Sequence, residues 1–147
     1  MRDTFLPFSP PLIGEEEISE VVDTLKSDWI TTGPKVKRFE NEFSAYLGGQ
    51  PVLATASATD AMLVGLAALG VGEGDEVITT PMTFCSTAHV IEHLGAKPVF
   101  ADVTHDTLTI DPLKIEQVIT SQTKAILPVH IYGHPCEMDS ILALAKN

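Results

Sequence analysis

Gly74-Asp75-Glu76-Val77-Ile78-Thr79-Thr80-Pro81-Met82-Thr83-Phe84 is the stretch that decides the fold. Gly74-Asp75 reads as a turn into a strand. Glu76 to Thr79 is a short run dominated by β-branched residues, which suit a buried strand. Thr83 is placed to cap a helix over Phe84–Leu94, and Gly95 follows as its C-cap. Strand, hydroxyl-rich loop and helix make one unit, and the unit recurs outward. Upstream lie a strand at Val52–Ala54 and a helix at Thr59–Leu69, closed by Gly70. Downstream, strands at Pro98–Ala101 and Ala125–Val129 alternate with helices at Pro112–Ile119 and Met138–Ala145. Such alternation predicts an α/β fold with a mainly parallel sheet.

Before Pro51 the pattern differs. Phe5 to Leu12 is proline-rich and reads as extended. Ile18, Val21, Val22 and Leu25 repeat at helical spacing and predict a helix over Glu15–Leu25. Asp28 to Pro34 breaks it. A second helix fits Val36–Tyr46, with Val36, Phe39, Phe43 and Tyr46 as its expected buried stripe and Gly48-Gly49 as its stop. The expected organisation is therefore an N-terminal helical segment over residues 1–50 and an α/β domain over 51–147.

Charge excludes some functions. With 9 Lys and Arg against 20 Asp and Glu, the net charge is −11, and no basic stripe exists to neutralise a nucleic-acid backbone. No apolar run is long enough to cross a membrane. The 2 cysteines, Cys85 and Cys136, make no disulfide framework, so a reduced, cytoplasmic protein is expected.

Parallel α/β sheets bind ligands beyond the carboxyl ends of their strands. Ser57-Ala58-Thr59 follows the first expected strand and opens a helix, where backbone N–H groups can converge on an anion. The same residues also read as an ordinary N-cap. They form neither a P-loop nor a GxGxxG fingerprint. Phe84, at the next strand end, offers an aromatic face to a planar ring or packs into the core. His130, Tyr132 and His134 follow a further strand end, and His130 can bond a ligand or a carbonyl. Asp102 follows another. Cys85, His89 and His93 share i, i+4 spacing and raise a metal-dependent hydrolase as an alternative, although no carboxylate completes a metal-ligand pattern.

Taken in order, Trp29-Ile30-Thr31-Thr32-Gly33-Pro34, Ser57-Ala58-Thr59, Gly74-Asp75-Glu76-Val77-Ile78, Thr83-Phe84, Gly95-Ala96-Lys97-Pro98-Val99-Phe100, Asp111-Pro112, Thr123-Lys124-Ala125-Ile126 and Pro128-Val129-His130-Ile131-Tyr132-Gly133 resemble the DegT/DnrJ/EryC1/StrS sugar-nucleotide aminotransferases. The start Phe5-Leu6-Pro7-Phe8 and the Ser-Ala-Thr form look most like the branch that aminates a UDP-4-keto-pentose.

That resemblance implies part of a fold-type I large domain, three-layer α/β/α, that binds pyridoxal 5′-phosphate (PLP). It implies that Ser57, Ala58 and Thr59 hold the phosphate and Phe84 stacks on the ring. Ala58 departs from the commoner Gly of that motif. Trp29, Thr31, Thr32, Gly33, His130 and Tyr132 become possible substrate or pocket residues. A keto sugar nucleotide and an amino donor, glutamate, are the implied substrates, and a homodimer the implied assembly.

No lysine here reads as the nucleophile, since Lys97 and Lys124 precede their strands. The resemblance places the Schiff-base lysine beyond Asn147 and the small C-terminal domain outside these residues. The chain alone is then expected to be inactive and prone to aggregate. A PLP-dependent sugar dehydratase and a non-catalytic cofactor- or protein-binding module are the remaining alternatives.

Overall fold

A computed structural model describes residues 4–5, 7 and 9–146. The chain divides into two compact units, Met1–Ala54 and Thr55–Asn147.

In the first unit, α1 (Glu15–Lys26) carries Glu15, Glu16 and Glu17 in its first turn and Lys26 in its last, matching the helix dipole. Glu17 reaches back to accept from the Gly14 amide at 2.6 Å. Helix α2 (Pro34–Tyr46) starts on proline, whose missing N–H costs nothing at that position. Lys35 and Arg38 both pair with Glu20 of α1, at 2.5 and 3.1 Å, and lower its pKa through those hydrogen bonds. The expected buried stripe of α2 is not buried. Phe39, Phe43 and Tyr46 stay exposed and stack on one another, with ring centroids 5.7 and 6.1 Å apart. No layer within this unit covers them.

Phe5–Leu12 contains no helix or strand among its described residues; Leu6 and Phe8 lie outside them. Val52–Ala54 does not form the expected strand. Its backbone finds no ladder partner, and the Ala54 amide donates to the Glu40 carboxylate at 3.0 Å instead.

The second unit is α/β. Strands β1 (Glu76–Thr79), β2 (Lys97–Phe100) and β3 (Thr123–Ile126) form a parallel sheet in the order β2-β1-β3. Strand β1 is buried along its whole length. Alternation along it assigns the layers. Val77 packs with Leu66, Val90 and Ile91, and so with α3 (Ala58–Ala68) and α4 (Ser86–His93). Ile78 packs with Ile115 and Ile141, and so with α5 (Pro112–Val118) and α6 (Met138–Leu144). Ala125 faces the first cluster and Ile126 the second, repeating the alternation on β3. Two helical layers thus enclose one sheet. Helix α4 crosses from β1 to β2 on one face, and α5 crosses back from β2 to β3 on the other. The opposite directions and opposite faces give both crossovers the same hand.

The observed β3 begins two residues before the expected start and ends three before the expected end. Its register against β1 shifts between Glu76 and Val77, which draws Thr123 into the ladder. Beyond Leu127, whose amide still donates to Ile78 O at 2.8 Å, Pro128 has no donor to continue it.

At the amino edge of the sheet, Glu76 is only 5% exposed yet fully partnered. Lys97 Nζ donates to Oε1 at 2.8 Å and Thr120 Oγ1 to Oε2 at 2.7 Å, and these bonds, Lys97 foremost, lower its pKa against the opposing effect of burial. Lys97 is thereby committed to the amino edge, away from the carboxyl ends of the strands.

Candidate functional site

The connections after β1 and β3 leave the sheet on opposite faces, toward α4 and α6. Neighbouring strands whose connections part in this way open a crevice beyond their carboxyl ends. Across it, Thr79 Oγ1 donates to Leu127 O at 2.8 Å, fixing the two strand ends together. The loop Gly70–Asp75 joins the end of α3 to the start of β1, so α3 runs antiparallel to β1. Its amino terminus therefore lies at the carboxyl edge of the sheet.

Ser57 is the N-cap of α3, with extended backbone. Its hydroxyl accepts from the Asp60 amide at 3.1 Å and donates to Asp60 Oδ2 at 2.9 Å. Thr55 Oγ1 donates to Ser57 O at 3.0 Å and steadies the approach. The capping function is thus real, and it falls to Ser57 alone. The amides of Ala58 and Thr59 have no hydrogen-bond partner among the described residues. Two aligned donors at a helix start, with only a methyl group at Ala58, suit the oxygens of a phosphate. The Thr59 hydroxyl is likewise free of protein partners among the described residues.

Phe84 lies 74% exposed in the loop between β1 and α4. It lines a cleft of about 310 Å³ with Thr80, Cys85, His89 and Phe100. Among the described residues the ring joins neither core cluster. Thr83 does not cap α4. The helix starts at Ser86 after Cys85, and Thr83 Oγ1 instead shares a hydrogen bond of 2.9 Å with Thr87 Oγ1. Thr80 turns the chain by accepting from the Met82 amide at 3.1 Å. Phe100 and Thr80 were not singled out in the sequence, although both stand at the ends of expected strands, where that signal was available.

His130 sits four residues past β3. Its Nδ1 accepts from the Cys136 amide at 3.1 Å, which leaves Nε2 without a protein partner among the described residues. The buried Cys136 thiol donates to Val129 O at 3.2 Å, and burial raises its pKa. This thiol is a clamp on the loop rather than a nucleophile. Tyr132 is exposed, with φ of 51°, in the short turn Ile131–Gly133. Asp102 accepts from the Val103 amide at 2.8 Å. Among the described residues no group of three or more His, Cys, Asp or Glu side chains is arranged to hold a metal, and the Cys85, His89 and His93 spacing loses its geometric basis.

In the other unit, Trp29, Thr31 and Gly33 line a cleft of about 320 Å³ between α1 and α2, and Thr32 contributes the carbonyl that accepts from the Trp29 indole at 2.9 Å.

Residues 11–147 match the family described as the DegT/DnrJ/EryC1/StrS aminotransferase family. The chain belongs to that family. A curated relative, the spore coat polysaccharide biosynthesis protein SpsC of Bacillus subtilis, is 55% identical over 146 residues, covering 99% of this chain and 38% of its own length. Among solved structures, the putative sugar aminotransferase Spr1654 of Streptococcus pneumoniae in its PLP form superimposes with a TM-score of 0.88 at 47% identity, over 95% of this chain and 36% of that one. An aminotransferase from Psychrobacter cryohalolentis gives 0.87 at 41% identity, over 95% and 36%. The chain thus spans little more than a third of the family members it matches. SpsC and Spr1654 each align along at least 95% of it, and the match establishes the family and not a branch within it.

Proposed function

We propose that this chain is the cofactor-binding amino-terminal part of a PLP-dependent aminotransferase that converts a keto sugar nucleotide to an amino sugar nucleotide with glutamate as donor. The observation that carries the reading is the pair of unpartnered amides at Ala58 and Thr59, on the same sheet edge as the exposed Phe84 ring. In this reading those amides and the Thr59 hydroxyl hold the phosphate, and Phe84 covers one face of the pyridine. His130, which follows the carboxyl end of β3, belongs to the same pocket in this reading. In this reading residues 51–147 belong to the PLP-binding domain, residues 1–50 carry Trp29, Thr31, Thr32 and Gly33 as substrate or pocket residues, and the complete protein is a cytoplasmic homodimer. PLP, when bound, supplies the electron sink and carries the amino group between donor and acceptor. The branch that acts on a UDP-4-keto-pentose is the proposed home of the sequence, on its Ser-Ala-Thr form.

The test uses the full-length protein loaded with PLP. Glutamate should remove the cofactor's visible absorbance band, a keto sugar nucleotide should restore it, and mass spectrometry should find the amino sugar nucleotide. A folded, loaded protein whose spectrum ignores both substrates would reject the proposal.

A further inference from the structure

We infer that the Trp29 cleft receives the nucleobase of the substrate nucleotide. The inference rests on the proposed nucleotide-linked substrate and assigns its base a place. Trp29 is held by the chain on either side of it in sequence. Its indole N–H donates to Thr32 O at 2.9 Å, and its amide donates to Ser27 Oγ at 3.2 Å. Ser27 in turn donates to Thr24 O at 2.7 Å. Gly33 lets the ring lie against the backbone, since a Cβ there would stand 2.2 Å from the indole nitrogen and 2.4 Å from Cδ1.

The result is a fixed aromatic plate that remains 55% exposed. An immobilised ring loses little entropy when another ring stacks on it, which is the economy that base-binding sites use. Pro34 and Val36 give the cleft apolar walls. Thr31 brings a hydroxyl without a partner among the described residues, able to donate to or accept from a base edge. A volume of about 320 Å³ is at the small end of ligand pockets and suits the base as one part of a sugar nucleotide. Lys35, Lys37 and Arg38 follow directly, three of the chain's 9 basic residues. Each pairs with a carboxylate of Glu20, Glu40 or Glu42, so stacking rather than charge must carry recognition here.

The experiment is calorimetric titration of UMP and of GMP into the full-length protein, its variants checked by circular dichroism. At least one nucleotide should bind saturably, and ribose 5-phosphate should bind at least tenfold more weakly. Trp29→Ala should weaken binding on the order of tenfold to a hundredfold, whereas Trp29→Phe, which keeps a ring, should stay within about threefold. Absence of binding by both nucleotides overturns the assignment. So does ribose 5-phosphate binding as tightly as the nucleotide, wild-type affinity in Trp29→Ala, or a loss in Trp29→Phe equal to that in Trp29→Ala. The aminotransferase reading fails separately, through a PLP spectrum that does not respond to substrates while Trp29-dependent nucleotide binding persists.

Discussion

Ala58→Pro isolates one backbone donor without disturbing the helix that carries it. Ala58 is the first residue of α3, where proline's fixed φ is already helical and its missing N–H breaks no intrahelical bond. The preceding Ser57 has φ −156° and ψ 162°, inside the extended region that a following proline requires. The Ser57 hydroxyl still accepts from Asp60 N, so the cap survives. Stability should therefore change by less than about 1 kcal/mol. Phosphate binding should change far more, because a hydrogen bond to an ionised oxygen contributes about 1.5–3 kcal/mol, or roughly 10- to 150-fold in affinity. Thr59→Ala is the companion. It removes a hydroxyl, keeps its amide and carries no cap cost, because the cap is Ser57. Equilibrium dialysis of PLP against the full-length variants, with thermal unfolding in parallel, reads both quantities. An Ala58→Pro protein that melts like the wild type and binds PLP within about twofold of it would refute the phosphate assignment.

Two further outcomes are expected. Phe84→Ala should loosen PLP by about tenfold while barely moving the melting temperature, because the ring is mostly exposed; unchanged retention would remove it from the site. Glu76 has its folded pKa below the ordinary glutamate value of about 4.5, chiefly through Lys97, so it contributes stability above that pH that is lost as pH falls through the lowered folded value. Glu76→Gln should therefore flatten the acid limb of a stability–pH profile, and a profile superimposable on the wild type would show that the Lys97 and Thr120 bonds do not set it.

Where structure was local, it was legible in the sequence. Gly70 and Gly95 end α3 and α4 at φ of 73° and 78°, conformations that glycine adopts without strain. The run Glu76–Thr79 is a strand to the residue. Failures occurred where a neighbour decides. Val52–Ala54 has strand-like residues but no ladder, and Glu40 takes its amide. Thr83 has the chemistry of a cap, yet the helix starts three residues later and the hydroxyl turns to Thr87. The apolar spacing of Phe39, Phe43 and Tyr46 predicts a helix correctly and its burial wrongly, because periodicity specifies a face and not what covers it. The role of Cys136 was invisible for the same reason. Its amide meets His130 only through the turn at Ile131–Gly133, which no spacing rule anticipates.

The reciprocal bond between Ser57 and Asp60 has a consequence for how an anion would be received. The hydroxyl is not idle: the Asp60 carboxylate already occupies it, as an internal substitute for an incoming anion. Any phosphate that recruits Ser57 must evict that carboxylate, trading one acceptor for another and leaving two negative groups near each other. On the proposed assignment the exchange would make Ser57 a weak net contributor to retention and leave affinity to the two amides and the Thr59 hydroxyl, which have no resident to displace. On the same assignment Asp60 would reclaim the hydroxyl as an anion departs.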